Sequence, residues 1–199
     1  MGKRIICLVV IGLLTAVFAN AASYDDYVKE GNAAFHAGKI DDAIKSYTSA
    51  IQIEPKREGK IYNLRGVLYR QQGKYDLSIK DFTKAIKLDS ANAEMYLNNR
   101  GNTYGQKGDF KNAIKDFSEV IKLNPKSEDA YTARGKALLY MGQYAEAVKD
   151  LTSAIEINPG SGEAYKLRAM AYEKLGKKSK AGADREKAKS LGIEMKGPH

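Results

Sequence analysis

The chain offers almost no sulfur or imidazole chemistry. Its 199 residues include one cysteine, Cys7, and two histidines, His36 and His199, which stand nearly the whole length apart. Metal sites of the zinc type need clustered thiolates, imidazoles or carboxylates at short spacing, and no such cluster is visible. His36 reads as a surface or groove residue for the same reason. A Ser-His-Asp arrangement, a paired-histidine motif and a phosphate-cradling glycine loop are also missing. The sequence therefore predicts a protein that is not an enzyme and takes neither metal nor cofactor. Proline is scarce as well, at four residues, and no long polar tract occurs, which argues against a large disordered region.

Long apolar runs are confined to the start. Gly2-Lys3-Arg4 is basic, residues 5–18 are almost wholly apolar, and Ala19-Asn20-Ala21 supplies the small-x-small pattern before a cut. This is the pattern of a secretory signal peptide over residues 1–21, with cleavage after Ala21 so that Ala22 begins the mature chain. An uncleaved membrane anchor is the competing reading. The apolar core is shorter than the ~20 residues a spanning helix needs, and Gly12 and Thr15 weaken it further. Cys7 lies at the start of that core rather than beside the cut, which argues against lipid attachment. Cleavage leaves a chain without cysteine, held by its packed core alone and never by a disulfide. Such a chain fits a bacterial exported protein, periplasmic or secreted, with no span left in the membrane.

What the chain has in abundance is amphipathic helix. Within residues 127–159, Tyr131, Arg134, Gly135 and Leu138 fall at steps of three or four and share one face. Gly142 and Gln143 break the run. Ala147, Val148, Leu151, Ala154 and Ile155 then form a second stripe, and Pro159 follows its end. The spacing predicts two helices joined by a tight turn, a hairpin too small to bury its own stripes. Gly135 and Ala147 mark the close approach, because a larger side chain there would push the helices apart.

The unit recurs. Taking Gly135 as marker, its equivalents are Gly31, Gly66, Gly101 and Ala169, at steps of 35, 35, 34 and 34 residues. Four residues before the marker stand Tyr27, Tyr62, Tyr131 and Tyr165, with Leu97 in the third copy. Twelve after it come Ala43, Ser78, Ala113, Ala147 and Ala181. The second helix carries Tyr47, Phe82, Phe117 or Leu151, and Pro55, Pro125 and Pro159 close three copies, Ser90 replacing that proline in the second. These residues at this period resemble the tetratricopeptide repeat. The resemblance implies an all-α, right-handed superhelical solenoid of antiparallel helix pairs. Its five units fall at about residues 24–57, 59–92, 94–127, 128–161 and 162–195, with 196–199 an unstructured tail.

Details of the ends and joints follow from capping rules. Asp41 and Asp42 stand at the start of a second helix, where carboxylates meet unpaired N–H groups. Asn92, Ser127 and Ser161 are candidate N-caps for the last three units. One extra residue falls around Met95-Tyr96-Leu97 in the third. The fifth unit differs: Arg185 stands in the aromatic slot, flanked by Gly182 and Lys189, and Ala181, Ala188 and Leu191 keep an inward face. A polar outer side is what ends a solenoid, so the last helix reads as a cap with Gly192 as its stop.

In the family it resembles, the first helices line a concave surface where partners bind as an extended peptide or a helix. The resemblance places Asn32, Asn63, Arg70, Asn98, Asn99, Asn102 and Lys136 in that groove. Asparagine carries donors and an acceptor and forms helix less well than Lys or Glu, so five on one face point to recognition of a peptide backbone. Asparagine merely tolerated on a wet face is the alternative. Some family members clamp a C-terminal carboxylate with Lys and Asn at fixed slots. Only Asn32 matches here, with Val28 in place of the lysine, and that activity is not carried over.

Charge gives a second possibility. The net charge is +9, and removal of Lys3 and Arg4 leaves 31 basic against 24 acidic residues, a net +7. Residues 59–93 hold seven basic and three acidic groups, and residues 162–199 ten and five. Basic patches of this kind meet anionic lipid, acidic protein or nucleic acid. No RNA-reading motif accompanies them, and export argues against nucleic acid. The sequence thus predicts a non-catalytic protein-interaction scaffold of the bacterial envelope, with a tether to an anionic surface, polymer or nucleic acid as the alternative.

Overall fold

A computed structural model describes residues 22–194. The expected signal peptide at 1–21 and the tail at 196–199 lie outside the described residues. The helices, in chain order, are α1 (Tyr24–His36), α2 (Ile40–Ile53), α3 (Gly59–Gln71), α4 (Tyr75–Leu88), α5 (Ala93–Lys107), α6 (Phe110–Leu123), α7 (Glu128–Tyr140), α8 (Tyr144–Ile157), α9 (Gly162–Lys174) and α10 (Lys178–Ser190), with a 3-10 turn at Ser90–Asn92. They form five sequential antiparallel pairs. Each helix packs on its neighbours in sequence, and the first helices α3, α5, α7 and α9 also touch one another in order. That contact pattern is a solenoid's: every unit buries its stripes against the next.

The marker glycines do what their spacing predicts. A Cβ on Gly135 would lie 2.8 Å from Leu151 Cγ, one on Gly101 2.9 Å from the Phe117 ring and one on Gly31 2.6 Å from the Tyr47 ring. Each first helix therefore lies directly on the large side chain of its partner helix. Tyr47, Phe82, Phe117 and Leu151 are all buried there, as are Ala43, Ala113 and Ala147. The turn between α7 and α8 closes on Gly142, whose φ of 76° lies in the left-handed region that an L side chain rarely adopts. Gly142 N–H donates to Leu139 O at 3.0 Å and Gln143 N–H to Leu138 O at 2.9 Å, satisfying carbonyls that the helix end leaves free.

Three local details refine the expectations. The extra residue of the third unit lengthens α5, which runs unbroken and starts eight residues before the Gly101 marker where α7 and α9 start seven before theirs. The link after α4 is four residues, as after α6, and holds the Ser90–Asn92 turn, where Asp89 accepts from Asn92 N–H at 3.3 Å. Leu97 then keeps the aromatic slot, and Tyr96, one step earlier, is also buried with its hydroxyl donating to Asp89 at 2.7 Å. Asn92 precedes α5 without a side-chain capping bond. Ser127 does cap α7, accepting from Ala130 N–H, but Ser161 makes no capping bond and donates to Glu128 at 2.6 Å instead. That bond ties the start of α9 to the start of α7. Finally, α10 buries Asp184 as well as Ala181 and Ala188, so its inner face is not purely apolar.

Candidate partner-binding groove

Two sets of polar side chains lie between the units, and they differ in what holds them. The first set locks the seams. Arg100 on α5 donates from Nε and Nη2 to both oxygens of Asp116 on α6, at 2.8 and 2.7 Å, and from Nη1 to Thr83 Oγ1 on α4 at 2.9 Å. Thr83 in turn donates to Ile79 O, one turn back on its own helix, at 2.7 Å. One guanidinium therefore fastens its own hairpin and the preceding unit together. The same triad recurs as Arg65–Asp81–Thr48, Arg134–Asp150–Ser118 and Arg168–Asp184–Thr152.

All four aspartates are buried. The hydrogen bonds donated to Asp116, Asp150 and Asp184 hold the Arg100, Arg134 and Arg168 guanidinium groups above their ordinary range. For Arg65 burial pulls down and the bond to Asp81 overrides it. Bidentate pairs of this kind are geometrically specific, and their removal by halves is costly. The pattern stops at both ends. Glu30 and Ser46 occupy the arginine and aspartate slots of unit one, and Glu186 occupies the hydroxyl slot of unit five.

Sequence reading placed Arg134 on the inner face of its helix without finding these partners. The signal was present: arginines at 65, 100, 134 and 168 and aspartates at 81, 116, 150 and 184 share the repeat's own step.

The second set faces the groove. Arg70, Asn102 and Lys136, three of the expected groove residues, come together around a cavity of about 620 Å³. Gln106, Phe110 and Tyr140 complete its rim, and Gly101, Gly105, Phe117, Ala133 and Ala137 lie beneath. The rings of Phe110 and Tyr140 stack with centroids 5.0 Å apart, and Tyr140 remains 59% exposed. Arg70 is half-buried and reaches only Asn99 O, at 3.4 Å. Burial holds its guanidinium below the ordinary range. Every other arginine among the described residues lies in an ion pair with a carboxylate.

The remaining expected residues are placed differently. Asn63 is buried, and its Oδ1 accepts from Asn99 Nδ2 at 2.9 Å, so one bond joins these two amides across α3 and α5. Asn98 and Asn99 border a shallower depression with Asn92, Glu94 and Met95. Asn32 lies apart in unit one and accepts from the Tyr47 hydroxyl at 2.8 Å. The asparagines do not form one continuous strip of free amides. Among the described residues no group of three or more His, Cys, Asp or Glu side chains is placed to hold a metal, and no helix is long and apolar enough to cross a membrane.

Comparison with known proteins agrees with this architecture. No protein with a curated description matches the sequence. A structure of MamA is similar at a TM-score of 0.78 and 24% identity, covering 84% of this chain and 91% of that one. MamA from Desulfovibrio magneticus RS-1 gives a TM-score of 0.80 at 16% identity, over 86% and 96% of the two chains. YrrB, described as a tetratricopeptide repeat protein with an unusual peptide-binding site, gives 0.74 at 20% identity, over 89% and 91%. At these identities the likeness concerns the fold. The sequence pattern of the tetratricopeptide repeat matches residues 59–92, 95–127 and 128–161, half of the chain. The chain is thus a member of the tetratricopeptide repeat family, a family of non-catalytic scaffolds for protein–protein interaction.

Proposed function

We propose that this scaffold binds an extended segment of a partner protein along the face formed by α3, α5, α7 and α9, and that it does so outside the cytoplasm. One observation carries the groove: polar side chains with no partner of their own converge there on an apolar floor. Asn102, Gln106 and Lys136 make no side-chain hydrogen bond or ion pair among the described residues, while the seam residues around them are fully engaged. Uncommitted donors and acceptors above small residues and aromatic rings suit a peptide, whose backbone needs hydrogen bonds and whose side chains need apolar cover. The description of YrrB names a peptide-binding site, the class of ligand assigned here. Export rests on the basic start, short apolar core and small-x-small site of residues 1–21.

The test compares two variants as bait against the envelope fraction of the source cell. Asn102→Ala with Gln106→Ala should lose a partner that the unaltered chain captures. Charge reversal at Lys177, Lys178 and Lys180 should retain it. The opposite result would replace the groove by a basic-surface tether, whose binding falls steeply with salt. For export, intact-mass measurement should find a mature chain beginning at Ala22. A membrane-bound form that keeps Met1 would instead establish an anchor.

A further inference from the structure

The cavity above Gly105 has features that a generic groove does not need. Gly105 stands four residues after its unit's marker, the slot filled by Arg70 in α3, by Leu139 in α7 and by Glu173 in α9. It sits in the last turn of α5 with an ordinary helical backbone, and a Cβ built on it meets nothing within 4 Å. Neither a turn nor a close helix contact requires glycine there. Its effect is to leave a gap where the next unit places a buried leucine. Glycine is a poorer helix former than the arginine and leucine that hold this slot in α3 and α7, so the gap is kept against local helix preference.

The charge around that gap has one sign. Arg70 stands on one side and Lys136 on the other, and no carboxylate lines the cavity. Arg70 is desolvated without a carboxylate partner, in a chain that pairs the other arginines among the described residues. A guanidinium in that position gains most from an incoming carboxylate, which supplies two parallel hydrogen bonds. The Phe110 and Tyr140 rings and the Phe117 floor supply apolar cover next to it. Beyond the cavity the face of first helices continues from α7 to α9, so a segment seated there extends past it on that side.

We propose that the cavity between α3, α5 and α7 selects partner segments in which an internal Asp or Glu adjoins a large apolar side chain, the carboxylate lying between Arg70 and Lys136 and the apolar group filling the space over Gly105. The proposal rests on the groove reading and specifies its ligand.

The probe is a fluorescein-labelled peptide, GSELDFEGS, with its C-terminus amidated, titrated with the mature chain and followed by anisotropy. Two comparison peptides replace its acids by Gln and Asn, or its Leu and Phe by Ala. Each should bind at least about tenfold more weakly. Arg70→Gln should cause a similar loss. Gly105→Leu should also lose binding by about tenfold or more, yet raise the urea midpoint, which separates a filled cavity from a damaged fold. Reversal at Lys177, Lys178 and Lys180 should leave the affinity unchanged.

Full affinity in Gly105→Leu, equal affinity for the uncharged peptide, or no binding at about 1 mM would each overturn the proposal. So would binding that requires a free C-terminal carboxylate, since that describes a chain end and not an internal segment. The groove reading itself stands or falls separately, on whether Asn102→Ala with Gln106→Ala loses the partner captured from the envelope fraction.

Discussion

Arg100 and Arg70 are carried by adjacent first helices, α5 and α3, and both are withdrawn from water. Arg100 exchanges its hydration for three charge-assisted hydrogen bonds at 2.7–2.9 Å, and its guanidinium is held above the ordinary range. Arg70 has a single contact at 3.4 Å, and burial holds it below that range. The same side chain is a structural bolt in one place and an open valence in the other. Partners, more than burial, decide which.

Breaking the bolt should have the largest effect. Asp116→Ala leaves Arg100 desolvated and unpaired and should destabilise the chain by about 3 kcal/mol in urea denaturation. Arg100→Met combined with Asp116→Leu should recover most of that loss, because an apolar pair removes both stranded charges. Arg70→Met should change stability by less than about 0.5 kcal/mol. Equal losses from Asp116→Ala and Arg70→Met would erase the distinction between seam and groove.

The apolar part of the seam gives an intermediate effect. Ala147 is fully buried beside Gly135, and Ala147→Leu should cost ~1–3 kcal/mol through overpacking. Lys149→Leu, on the exposed side of the same helix, should stay within about 0.5 kcal/mol. Urea midpoints measure both.

The smallest effect is a pH dependence at the first seam. Burial pushes the Tyr24 hydroxyl up to about 12, with Glu58 adding to it, and that hydroxyl has no hydrogen-bond partner among the described residues. A phenol whose folded pKa is raised favours folding while it stays neutral. Its contribution is complete below the unfolded pKa of about 10 and is lost as pH rises toward 12. Tyr24→Phe should flatten the decline of stability between pH 10 and 12 and leave the midpoint at pH 7 the same or slightly higher. An unchanged alkaline profile in the variant would show that Tyr24 is not responsible.

Much of this was legible in the residues. Gly31, Gly66, Gly101 and Gly135 announce the helix contacts because only a missing side chain permits them, and their step gives the repeat. The seam triads were harder to see. Arg, Asp and Thr each look like solvated surface on a single helix, and their meaning appears only when positions 16 or 17 apart are brought face to face. Tyr96 takes the buried position that Ile61, Ala130 and Ala164 hold in the other units, which the extra residue nearby obscured. The five asparagines expected on one face are not all free, because Asn63 and Asn99 are close enough to bond each other. Arg70, Asn102 and Lys136 were expected on one face from the family's geometry, and they line one cavity. The cavity itself was not legible, because it depends on Gly105 lacking a side chain.

The interruption of the seam triad at both ends works like a punctuation mark. Within the chain each arginine reads the hydroxyl of the unit before it, a rule that by itself sets no limit on length. Unit one has Glu30 where that arginine would stand, and α10 has Glu186 where the hydroxyl would stand. Two molecules stacked end to end in the register of the repeat would set carboxylate against carboxylate, with Ser46 unable to supply the missing acid. A sixth unit copied from the middle of the chain is therefore compatible with insertion between existing units, where both neighbours speak the same grammar. Three side chains thus keep the triad from continuing past unit one or unit five.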